Sequence, residues 1–159
     1  MAWRDNLRPT PAWDTSSWIG AAYTPWRASN ELWWARYSDY RADVQRELRA
    51  VKLVLGFNTI RVFLHSLLYL HDAQGLKRDL ADFLGIAAAA GFRVGLVFFD
   101  DCWSHIGANL SRPCLPRKGV HNGCWSASPQ DVDRSTIGRF EGYVSDIVKS
   151  HRTECAAAM

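Results

Sequence analysis

Three short apolar runs alternate with amphipathic stretches along this chain, and that alternation narrows its possible folds more than any other feature. Trp18–Tyr23 is an apolar run that stops at Thr24-Pro25, as a buried strand ended by proline would. From Arg41 to Leu55, Val44, Leu48, Val51 and Leu55 recur at helical spacing, with Arg41, Asp43, Gln45, Arg46 and Lys52 between them. Gly56 suits the residue just past that helix. Phe57–His65 is rich in β-branched and aromatic residues and predicts a second strand. A second helix is expected over Leu76–Ala90, with Leu76, Leu80, Phe83, Leu84 and Ala87 on one stripe and Gly91 as its stop. Phe92–Phe99 is almost continuously apolar, the pattern of a strand buried on both faces of a parallel sheet. After a long loop, Ile137, Phe140, Tyr143, Val144, Ile147 and Val148 mark a third helix.

The order β-α-β-α-β-loop-α implies crossover connections and parallel strands, hence an α/β domain. Its expected bounds are 18–152, between an irregular arm over 1–17 and a tail over 153–159. No G-x-G-x-x-G follows the first strand and no G-x-x-x-x-G-K occurs, which argues against nucleotide-binding versions of this architecture. Periodicity does not separate a closed barrel from an open sheet.

With 48% hydrophobic and 22% charged residues, the chain has the composition of a soluble globular domain. A net charge of +3, with both signs interspersed, gives no footprint for nucleic acid or for an anionic membrane. No apolar stretch is long enough to span a bilayer, and the first residues lack the pattern of a secretory signal, so a cytoplasmic location is the default expectation. Cys102, Cys114, Cys124 and Cys155 form no C-x-x-C pair; Cys114 and Cys124 are either free thiols or a loop disulfide. His105 and His121 with Cys102 or Cys124 match no tight ligand spacing, so neither metal nor other cofactor is expected.

Three stretches carry a family resemblance. Tyr23-Thr24-Pro25 followed by Ala28-Ser29-Asn30-Glu31-Leu32-Trp33-Trp34 is similar to the loop after the first strand of clan A glycoside hydrolases, the family 5-like cellulase and xylanase group. Leu55–His65 resembles their second strand, including its strand-end arginine. Val97–Trp103 with Gly119–Trp125 resembles the third strand and the long loop after it. The resemblance implies a (β/α)8 barrel, of which this chain supplies about three units. It also implies a glycosidase acting on β-linked polysaccharide or oligosaccharide.

Such an enzyme needs two carboxyl groups flanking the scissile bond. In the clan these follow the fourth and seventh strands, so the expectation is a segment with no catalytic residue of its own, inactive alone. Asn30-Glu31 follows the first strand, and Glu31 reads as a polar loop residue. Substrate contacts are expected from Tyr23, Asn30, Arg61, His65, Asp100, Trp103, His121 and Trp125. The resemblance implies that Arg61 orients the nucleophile, a task suited to its rigid, permanently charged fork. His65 would donate to a sugar hydroxyl. Asp100 would accept from hydroxyls or hold Arg61, and Trp103 and Trp125 would be sugar platforms. A different reading is a non-catalytic module binding carbohydrate or a partner protein. Either way, a sheet with open edges predicts self-association or a complementing chain.

Overall fold

The computed structural model describes residues 15–28, 33–99 and 137–151. Three parallel strands, β1 (Gly20–Ala22), β2 (Thr59–Phe63) and β3 (Arg93–Val97), form one sheet in the order β1-β2-β3. The α/β class and the parallel strands expected from the alternation are therefore present. Register sets Ala21 beside Ile60 and Ile60 beside Val94, so these three point to the same side.

That side is the helix side. Ile60, Val62 and Leu64 are buried in one cluster with Val44 and Leu48 of helix α1 (Tyr37–Leu55) and with Leu76, Leu80, Phe83, Leu84 and Ala87 of helix α3 (Ala73–Ala89). Tyr143 and Ile147 of helix α4 (Ile137–Ser150) complete it. On the opposite side Thr59 and Phe63 are half-buried and Arg61 is exposed.

Each helix has a local cause. In α1, Tyr37 and Tyr40 extend the buried Val44–Leu48 stripe toward the amino terminus, so the helix starts one turn earlier than its aliphatic residues alone predict. Gly56 ends it at φ 68°, with its N–H on the Lys52 carbonyl at 3.2 Å. In α3 the Asp72 side chain accepts from the Gly75 N–H at 2.8 Å, satisfying one of the free donors of the first turn. At its far end Gly91 N–H reaches Ala88 O and Phe92 N–H reaches Ala87 O, both at 2.9 Å. This paired closure needs the left-handed conformation that Gly91 adopts at φ 78°.

Four expectations are corrected. Helix α2 (Ser66–His71) was not anticipated, because six residues hold too little period to read and histidine is an unusual cap. The first strand is not buried: Gly20, Ala21 and Ala22 are all exposed. Among the described residues it has one neighbour, and residues this small have little side chain to cover. The third strand is half-buried along its length with Gly95 exposed, not enclosed on both faces, since the helical layer lies on one face. Leu55, placed on the apolar stripe of α1, is 56% exposed, with Leu53 and Val54 beside it more exposed still. Among the described residues no helix is long and apolar enough to cross a membrane.

Candidate functional site at the strand ends

In parallel α/β folds, sites are built where strands end and the following loops begin. Here those positions are Tyr23 after β1, Leu64 and His65 after β2, and Phe98 and Phe99 after β3.

Tyr23 extends the ladder by one bond, its N–H donating to Arg61 O at 2.8 Å. Its side chain turns into the helical layer, 9% exposed, and its hydroxyl donates to Glu47 Oε2 at 2.9 Å. Burial, reinforced by the Glu47 charge, pushes the phenol far above its ordinary range, so it remains a donor. Glu47 Oε1 also accepts from the Trp26 N–H at 3.4 Å, and Arg27 donates to Asp43 Oδ2 at 2.7 Å. The turn after β1 is thus tied to α1 at two carboxylates.

Trp33 and Trp34 stack at 3.9 Å between centroids, and the Trp34 indole N–H donates to Phe63 O at 2.8 Å, closing the end of β2. Tyr37 and Phe83 join this cluster. These two tryptophans are core, not ligand platforms.

His65 is 1% exposed and caps α2, its Nδ1 accepting from the Leu68 N–H at 3.4 Å. That bond ties the buried ring to the first turn of α2. Arg61 points to the opposite side of the sheet, its guanidinium carbon 5.0 Å from the Phe63 ring centroid. Tyr23 therefore lies on the helix side and Arg61 on the open side, while His65 is buried at the start of α2. Asn30, Asp100, Trp103, His121 and Trp125, like Glu31, lie outside the described residues.

Two groups were missed by sequence reasoning. The hydroxyls of Ser66 and Tyr143 are buried, with no hydrogen-bond partner among the described residues. Burial pushes the Tyr143 phenol up strongly. Both residues sit in apolar patterns, and no local signal distinguishes them. Among the described residues no cluster of His, Cys, Asp or Glu could hold a metal ion.

Carboxylates instead serve as latches between elements. Asp82 of α3 accepts the Arg41 fork at 2.8 Å on each oxygen and the Tyr37 hydroxyl at 2.5 Å. Asp146 of α4 accepts Tyr69 at 2.8 Å and Lys77 at 2.9 Å. These donors hold both carboxyls below their ordinary value, as Arg27 and Arg46 hold Asp43. A depressed carboxyl contributes stability above the unfolded value near 3.9, and that contribution is lost as pH falls through the folded value. Asp79 acts oppositely, since burial raises it and acid relieves its cost. The urea midpoint should accordingly fall between pH 5 and pH 3. Asp82 and Asp146 together should account for about 1–2 kcal/mol after screening at their partial exposure. In the double variant Asp82→Asn/Asp146→Asn the drop should shrink. An unchanged slope would show that the latches carry no charge-dependent stability.

No family model, no curated protein and no solved structure matches the chain.

Proposed function

We propose that these strand–helix units form the opening wall of a (β/α)8 barrel of the glycoside hydrolase type, acting on β-linked polysaccharide, with the two catalytic carboxylates supplied from outside these units. The observation that supports this reading most is the sequential order β1-β2-β3 beneath a helical layer on one face. Neighbouring units of a barrel share that arrangement, whereas a doubly wound sheet reverses direction and carries helices on both faces. The uncovered face, which would become the barrel interior, bears Arg61, the residue the family resemblance assigns to the nucleophile. Completion then needs further strands against the open edges of β1 and β3, from another polypeptide or from more of the same one.

None of the described residues at the strand ends carries a carboxylate, and retaining or inverting hydrolysis needs two. The 159-residue chain should therefore release no reducing sugar from β-glucan, xylan or an aryl β-glycoside above the buffer rate. It should still retard cellohexaose or xylohexaose in affinity electrophoresis. If neither oligosaccharide is bound, the glycosidase reading fails. Turnover that survives purification and vanishes in Glu31→Gln would overturn the inactivity and promote Glu31 to acid/base.

A further inference from the structure

A shallow pocket of about 350 Å3 runs along the β1–β2 seam, where Trp18, Gly20, Ala22, Thr59 and Arg61 of the uncovered face meet Ala21 and Ile60. Its floor is backbone, because Gly20 and Ala22 present almost no side chain. Arg61 enters it exposed, and its one recorded contact is the Phe63 ring at 5.0 Å; it has no ion pair among the described residues. Arg93 lies opposite Thr59 in register, hence on the same face, and its guanidinium carbon stands 5.8 Å from the centroid of Trp18. Among the described residues neither arginine meets an acid, and none of the described side chains that the register places on this face is acidic. Several other arginines do meet carboxylates: Arg27 and Arg46 with Asp43, Arg36 with Asp39, Arg41 with Asp82.

We infer that this pocket binds a small organic anion, a carboxylate borne on a flat apolar body. Arg61 is the anchor, since a guanidinium presents two parallel N–H donors that match the two oxygens of a carboxylate. Thr59 adds a hydroxyl at the same wall, although that hydroxyl also bonds Asn58 Oδ1 at 3.1 Å. The apolar body lies on the Ala22 and Gly20 backbone against Trp18, which gives the site a surface that excludes water from one side of the ion pair. Arg93, stacked on Trp18, raises the local positive potential. The volume is at the small end for ligand pockets and suits one ring, not a chain of them. This inference is separate from the glycosidase reading, in which the same face is the barrel interior and Arg61 meets the nucleophile; benzoate binding and oligosaccharide binding are therefore scored independently.

The test is NMR titration of the full chain with benzoate, benzyl alcohol and inorganic phosphate, following the amides of Ala22, Thr59 and Arg61. Benzoate should shift these resonances saturably and bind at least about tenfold tighter than benzyl alcohol, as a charge-assisted fork predicts. Arg61→Gln, at an exposed position, should leave the thermal midpoint in place and lower benzoate affinity about tenfold or more. Arg61→Lys should recover only part of it, because charge returns without the fork. Equal binding of benzyl alcohol would overturn the role of the carboxylate. Phosphate binding as tightly as benzoate would overturn the role of the ring, and no saturable shift with any of the three would overturn the site.

Discussion

Trp33→Ala should lower the thermal midpoint by roughly 10–20 °C or abolish a cooperative transition altogether. The residue is 1% exposed, and its ring stacks on Trp34 at 3.9 Å, meets Phe83 at 5.7 Å and meets Tyr23 at 6.5 Å. It is therefore the point at which the segment after β1 contacts α3 and the turn that starts α1. Removing a buried indole costs about 3–5 kcal/mol, because the cavity it leaves cannot collapse against neighbours fixed by their own hydrogen bonds. A domain of this size has a total of about 5–15 kcal/mol, so the loss is a large share of it. Trp26, 66% exposed, provides the control: Trp26→Ala should change stability by no more than about 0.5 kcal/mol. Differential scanning calorimetry on the two variants decides the matter. If Trp33→Ala is as mild as Trp26→Ala, the aromatic cluster does not hold the two layers together.

The contrast between those tryptophans also shows what the sequence reveals and what it hides. Strand and helix positions were legible because the relevant signals are local: the stripe Leu76, Leu80, Phe83, Leu84, Ala87, and a glycine with positive φ closing each of the two long helices. Parallel pairing followed from the alternation of elements; the sequential order of the strands was an expectation of barrel ancestry, not of the alternation. Exposure was not legible, because it depends on what covers each face. Trp18–Tyr23 and Phe92–Phe99 are apolar enough for enclosed strands, yet among the described residues one side of the sheet carries the helices. Side-chain direction at the strand ends was equally hidden. His65 stands four residues after Arg61 and is buried as the cap of α2, whereas Arg61 is exposed on the open face. A spacing argument places both residues at one site; the structure buries one and exposes the other. Trp18 and Arg93 carried no motif at all, and only the register brings them together on the face that also holds Arg61.

Gly20→Ala should disrupt the β1–β2 pairing at a cost of about 3 kcal/mol or more, an unusually large effect for one methyl group on an exposed strand. A Cβ at this position would stand 1.7 Å from Thr59 O and 2.6 Å from its carbonyl carbon. Both are backbone atoms of the paired strand, so no rotamer change relieves the clash and β1 must move away. Little apolar burial resists that movement, since all three residues of β1 are exposed. What resists it is polar: Asn58 N–H on Ile19 O at 2.9 Å, Tyr23 N–H on Arg61 O at 2.8 Å, and the Asn58 side chain bridging Ile19 N–H and Ser17 O. Each such bond contributes about 0.5–1.5 kcal/mol net. The displacement also propagates, because Tyr23 joins β1 directly to Glu47 and the tryptophan cluster. Gly95→Ala is the matched control. Its Cβ would lie 3.8 Å from Ile60 O, an ordinary contact, and lower backbone entropy in the unfolded chain should make it neutral or slightly stabilising. Hydrogen exchange should show protection lost at the Tyr23 and Asn58 amides in Gly20→Ala and kept in Gly95→Ala. Benzoate binding should disappear with it, since Gly20 forms part of the pocket floor. Equal stability and equal protection in the two variants would show that β1 does not lie against β2 at this distance, and would remove the pocket along with it.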